Sequence, residues 1–162
     1  MGKLFVMVLL AGVTMFGAQS GWAADQFVVD VDGTVRDRTS GLTWMKNANC
    51  WGELAWEEAV KAIDDLNAGR KSCADYTGKL TDWHLPSKSE LITLVRNTNS
   101  ESGLILAHPN PFVMAQQGHY WSATDAEPGS AWYLNLHNGH LDHYGKQTSY
   151  FVWPVRGRLI TQ

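Results

Sequence analysis

Ala131-Trp132-Tyr133-Leu134-Asn135-Leu136-His137, then Asn138-Gly139, then His140-Leu141-Asp142-His143-Tyr144: two alternating runs joined by the dipeptide that most favours a tight reversal predict a β-hairpin. Tyr120-Trp121-Ser122-Ala123-Thr124 reads as the strand before it, with a turn over 126–130. Ser149–Val155 reads as the strand after it. The C-terminal third of the chain is therefore a run of strands.

Upstream of that run the period changes. Trp56, Ala59, Val60, Ile63 and Leu66 recur at helical spacing, and Asn67-Ala68-Gly69 closes the pattern, which predicts a helix over Trp56 to about Asn67. Ser87 and Glu90 form a capping box ahead of Leu91, Leu94 and Val95, so a second helix starts there and stops near Asn97. A long connection follows to Gly118. Further toward the N-terminus, Phe27–Val31 and Thr34–Asp37 flank Asp32-Gly33, a hairpin signal, and Leu42–Met45 alternates as a short strand. Asp30-Val31-Asp32-Gly33 lacks the further ligands of a calcium loop and reads as a turn. A hairpin, two helices, long loops and then strands make one α+β domain, the helices packed on short, mostly antiparallel strands.

The first residues belong to a different chemistry. Lys3, the apolar Leu4–Phe16 and the small residues Gly17, Ala18, Ser20, Gly21, Ala23 and Ala24 form the tripartite pattern of a secretory signal peptide, with cleavage expected after Ala23. The apolar stretch is too short for a span of ~20 residues. The expected division is thus 1–23 signal peptide and 24–162 folded domain, with no membrane span after cleavage and a periplasmic or extracellular destination. In an oxidising compartment Cys50 and Cys73, the only cysteines, are expected to form a disulfide.

Composition narrows the partners. The 162 residues carry a formal charge of −3, which becomes −4 when Lys3 leaves, and there is no basic run; this argues against nucleic acid. Charged residues at 18% and apolar ones at 44% exclude intrinsic disorder. Tryptophan is in excess, with 8 in the chain. That excess fits either an aromatic core or an aromatic binding surface.

Seven motifs stand in order: Asp32-Gly33-Thr34-Val35 with Asp37, Gly41-Leu42-Thr43-Trp44, Trp56-Glu57-Glu58-Ala59, Asp82-Trp83-His84-Leu85-Pro86 with Glu90-Leu91, Tyr120–Thr124, Ala131-Trp132-Tyr133, and Val152-Trp153-Pro154-Val155-Arg156-Gly157. Together they resemble the Lcl C-terminal domain family over about 27–157. The resemblance implies a C-type-lectin-like fold and an exported, often surface-associated protein used in adhesion or ligand binding. His84 stands where the family pattern carries arginine. Glu127-Pro128-Gly129 and Trp132-Tyr133-Leu134-Asn135 do not match the calcium and sugar loops of calcium-dependent lectins, so that mechanism is not carried over.

The residues then divide into core and surface. Trp44, Trp56, Trp83, Trp121, Trp132 and Trp153 are expected in the core, with indole N–H groups on loop carbonyls. Trp51, beside Cys50 in a loop, is expected to be exposed. A two-residue Asn138-Gly139 turn would pair His137 with His140 and Asn135 with Asp142, putting all four on one hairpin face near Tyr144. Asn135, His137, His140, Asp142, Tyr144 and Trp51 are the candidate ligand contacts. His137, His140 and Asp142 are the residues that could bind a divalent metal if one is held, and a solvated face with incidental histidines is the plain alternative. No nucleophile elbow, phosphate loop or zinc-protease motif occurs. No cofactor is implied. The expected function is a non-enzymatic binding or adhesion module for a glycan, surface polymer or protein. A metal-dependent enzyme using His137 and His140, or a structural subunit of an envelope assembly, are the competing readings.

Overall fold

Short apolar runs at both ends of the chain meet in two sheets. A computed structural model describes residues 26–95 and 111–160. The signal peptide expected over 1–23 and most of the connection from Asn97 to Gly118 lie outside those residues. The first sheet holds β1 (Phe27–Val29), β2 (Thr34–Asp37), β3 (Thr43–Met45) and β9 (Val155–Arg156), in the order β1-β2-β3-β9 and antiparallel throughout. The second holds β4 (Glu53–Ala55), β5 (His119–Asp125), β6 (Ser130–Asn135), β7 (Leu141–Gly145) and β8 (Ser149–Phe151), in the order β4-β8-β5-β6-β7. Among the described strands of the two sheets, β5 and β8 alone run parallel. The architecture is α+β, as the order of patterns requires.

Helix α1 spans Trp56–Asn67 and buries Ala59, Ala62, Ile63 and Leu66, the stripe its periodicity marks. Past the cap at Ala68, Gly69 takes a positive φ of 69° that suits glycine. Helix α2 (Lys88–Leu91) opens on the expected capping box and continues as a 3₁₀ turn to Leu94. Gly33 in the β1–β2 turn has φ 87°, and a Cβ there would stand 2.1 Å from the Asp75 carbonyl oxygen. Both the backbone and its neighbour therefore require glycine. Asp32 closes that turn by accepting from the Thr34 hydroxyl at 2.7 Å, which bears out the turn reading.

Two expectations about strands need correction. The last strand is not continuous: Ser149–Phe151 pairs in the second sheet and Val155–Arg156 in the first. Between them Val152-Trp153-Pro154 passes from sheet to sheet. Pro154 has no N–H for a ladder, its carbonyl accepts from Met45, and the Trp153 indole donates to the Met45 carbonyl at 2.8 Å. The hairpin register also differs. Leu134 pairs with Leu141 and Tyr133 with Asp142, while Asn135 N–H donates to the His140 carbonyl. A five-residue connection over 136–140 replaces the two-residue turn. Buried Leu136 explains the slip, since its N–H donates to the Gly118 carbonyl and pulls the chain off the ladder.

The core is aromatic where the sheets face each other. Trp44, Trp153 and Tyr120 are fully buried, and the Trp153 ring meets Trp44 at 5.5 Å and Phe112 at 4.8 Å. Trp83 and Trp121 are also buried. Trp56 and Trp132, expected in the core, are half-buried, because each is roofed by a lysine and not by a second apolar layer. Lys146 Nζ lies 3.7 Å from the Trp56 ring centroid and Lys88 Nζ 3.9 Å from that of Trp132. The indole N–H groups of Trp56 and Trp121 reach the carbonyls of Ser122 and Leu54, which belong to strands and not to the loops expected. That of Trp44 is buried without a partner among the described residues.

His84 forms an ion pair with Glu90. Its Nε2 lies 3.1 Å from Glu90 Oε1, while Glu90 Oε2 accepts from the Ser87 N–H. The hydrogen bond to Glu90 raises the His84 pKa above 6.5 against the opposing effect of burial. Burial pushes Glu90 up, but the bonds from His84 and Ser87 outweigh it and hold its pKa below 4.5. The His84 contribution is complete below 6.5 and fades as pH rises through the raised value. The Glu90 contribution is complete above 4.5 and fades as pH falls through the lowered one. The charged pair therefore stabilises most between about pH 4.5 and 6.5. His84→Gln is expected to cost about 1 kcal/mol in that window, discounted for the exposed imidazole. Thermal melts should show the wild-type advantage shrinking as pH rises through the raised His84 value; a pH-independent difference would rule the pair out as its source.

Candidate functional site

Alternation along β5, β6, β7 and β8 sorts the second sheet into two faces. Tyr120 and Leu134 point into the core, both fully buried. Trp121 pairs with Tyr133, Tyr133 with Asp142, and Ala131 with Tyr144, so these residues share the opposite face with His119 and Asn135. Phe151 pairs with core-facing Tyr120, which turns its neighbour Tyr150 to the outer face as well.

There the rings form a continuous surface. His119, Tyr133 and Tyr150 meet mutually, with centroids 4.8 Å apart for His119–Tyr133, 4.8 Å for His119–Tyr150 and 4.9 Å for Tyr133–Tyr150. Beneath them the buried Trp121 ring lies 4.5 Å from Tyr150. The three upper rings are half-buried and Tyr144 beside them is 57% exposed. Among the described residues no group hydrogen-bonds the hydroxyls of Tyr133, Tyr144 or Tyr150. Burial, then the charges of Tyr133, Tyr144, Asp142 and Glu53, pushes the Tyr150 phenol up to about 12. Burial with Asp142 and Tyr144 raises Tyr133 in the same direction. At neutral pH these phenols are uncharged O–H donors.

The residues expected from the sequence scatter around this surface. Asn135, Asp142 and Tyr144 lie on it, since a register slip of two residues preserves the face. His137 and His140 do not pair. Both are exposed on the connection after β6, their backbone N–H groups held by the side chains of Asn135 and Asn138. The hairpin face that was to unite His137, His140 and Asp142 therefore does not form. Among the described residues no group of three His, Cys, Asp or Glu side chains could hold a metal ion.

Trp51, expected exposed, is half-buried. Its indole N–H donates to the Ser72 carbonyl at 2.8 Å and Lys71 sits over its ring at 5.3 Å. The cysteines it adjoins are joined, Cys50 to Cys73, with Cα atoms 4.8 Å apart, as expected. A disulfide fits an oxidising, exported environment. Among the described residues no helix is long and apolar enough to cross a membrane.

His119, Tyr133 and Tyr150 were not singled out from the sequence. Tyr133 carried a signal, standing beside Asn135 in an alternating strand; Tyr150 did not, because only the parallel β5–β8 pairing brings it to His119. Two clefts open elsewhere. One of about 410 Å³ at the end of α1 is lined by Leu66, Tyr76, Lys79 and neighbours, and one of about 280 Å³ lies by Val29, Gly33 and Asp75. Neither includes a residue of the sheet face.

Compared with known families, residues 33–156 match the Lcl C-terminal domain. No curated protein matches the chain.

Proposed function

The chain belongs to the Lcl C-terminal domain family, and from that premise we propose that it is an exported, non-enzymatic, adhesin-like surface module that binds its target with the outer face of the second sheet. One observation carries the reading: three packed rings, His119, Tyr133 and Tyr150, stand half-open to solvent beside Tyr144 and Asp142, with phenol hydroxyls that no group among the described residues engages. Aromatic surface of this kind is costly to leave in water and concentrates at recognition faces. The lectin-like fold implied by the family resemblance is in keeping with a binding role, though fold alone assigns no ligand.

Labelled protein applied to immobilised polysaccharides, matrix proteins and whole bacterial cells tests the proposal. The wild type is expected to be retained on at least one surface, and the Tyr133→Ala/Tyr144→Ala variant to be retained at least tenfold less, a loss of about 1.4 kcal/mol or more. Far-UV circular dichroism should be unchanged. Equal retention of the two proteins would remove the sheet face from the function.

A further inference from the structure

Resting on that reading, we propose that the ligand is a neutral polysaccharide, one sugar ring lying against the face of the Tyr133 or the Tyr150 ring while its hydroxyls bond to Asp142, Asn135 and the surrounding phenols. The three rings pack mutually within 4.9 Å, Tyr133 at 81° to His119 and 63° to Tyr150 and His119 tilted 41° to Tyr150, which leaves no gap for a side chain or cation to enter between them, so the surface is a closed, faceted cluster and not a cage. What fits the face of one such ring is a flat body with weakly positive C–H groups, because an aromatic face carries negative charge and an edge positive. A pyranose ring presents such a face, and its rim of hydroxyls needs donors and acceptors together. The sheet supplies both: the phenols of Tyr133, Tyr144 and Tyr150 to donate, and the Asp142 carboxylate to accept.

Charge selects among polymers. Asp142 lies on the face and Glu53 acts on Tyr150 from the edge strand. The lysine nearest in sequence, Lys146, is committed elsewhere, 2.6 Å from Asp125 Oδ1 and over the Trp56 ring. Among the described residues no lysine or arginine is positioned over the Tyr133 or Tyr150 ring. An acidic polysaccharide or a nucleic acid would bring its anions to these carboxylates with no lysine or arginine of the described residues over the rings to meet them. An uncharged chain meets no such penalty.

Retention on cellulose, chitin and cross-linked dextran, compared with alginate and immobilised heparin, decides the matter. The wild type is expected on at least one neutral polymer, with less than a twofold change between 0.05 and 0.5 M salt, as binding without ion pairs requires. Tyr133→Ala should lower that retention at least tenfold and Asp142→Asn severalfold. Tyr144→Ala, at a site exposed enough to leave folding intact, provides an independent loss if Tyr133→Ala is unstable. Retention only on the anionic polymers, with steep salt dependence, overturns the inference. So does retention on a neutral polymer that all three variants keep. Capture of cells or matrix proteins through the same face, with no polysaccharide bound, overturns the neutral-sugar assignment while leaving the adhesive reading standing.

Discussion

Trp153→Ala is expected to lower the stability of the folded chain by about 4 kcal/mol. The side chain is fully buried where the chain crosses between the two sheets, and its ring meets Trp44, Phe112 and Tyr120 at 4.8–5.5 Å. Removing it leaves a cavity whose walls belong to both sheets and cannot collapse without breaking one of them. It also deprives the buried Met45 carbonyl of its indole donor. Urea unfolding followed by tryptophan fluorescence should show the midpoint falling with little change in slope. Trp132→Ala provides the contrast. That ring is half-buried under Lys88, and its loss is expected to cost about 1 kcal/mol. Comparable losses at the two positions would contradict the placement of the core. Trp153→Phe keeps the ring but not the N–H, and should fall between wild type and alanine.

Opening the Cys50–Cys73 disulfide is the second large effect. The bond closes a loop of sequence separation 23 around β4 and all of α1. In the chain-entropy model a loop of that length contributes about 3 kcal/mol. Cys73 is itself buried and Trp51 packs nearby, its N–H on Ser72, so both ends of the bond are held by the fold. Replacing both cysteines with alanine should shift the urea midpoint by that amount. Adding a thiol reductant should bring the wild type to the same midpoint and leave the variant unmoved. A wild type indifferent to reductant would show that the bond does not restrain the unfolded chain.

Much of this structure is legible in local pattern. The ends of α1 coincide with the apolar stripe from Trp56 to Leu66 and the glycine after it. The start of α2 coincides with the Ser87–Glu90 box, because capping is settled by residues three apart. The disulfide followed from there being two cysteines and from the export that the N-terminal pattern led one to expect. What escaped depends on distant partners. Strand β4 has three residues and exists because Ser149–Phe151 lies alongside it. The hairpin turn was misplaced because Leu136 is claimed by the Gly118 carbonyl, a partner no local rule can see. The candidate site divides in the same way. Asn135, Asp142 and Tyr144 were found because alternation within one hairpin fixes a face, whereas His119 and Tyr150 required the order of strands in the sheet.

The sequence by itself determined the periods, the caps, the cysteine pairing and the family, all of which are carried by residues near one another or by a fixed succession of motifs. Only the tertiary structure decided what the tryptophans and histidines do. It drew Trp153 between two sheets and left Trp132 under a lysine, separated His137 from His140, and gathered His119, Tyr133 and Tyr150 into one surface. The physical reason is that burial and juxtaposition depend on which strands become neighbours, and the parallel pairing of β5 with β8 joins parts of the chain about thirty residues apart, a separation at which local preference carries no information.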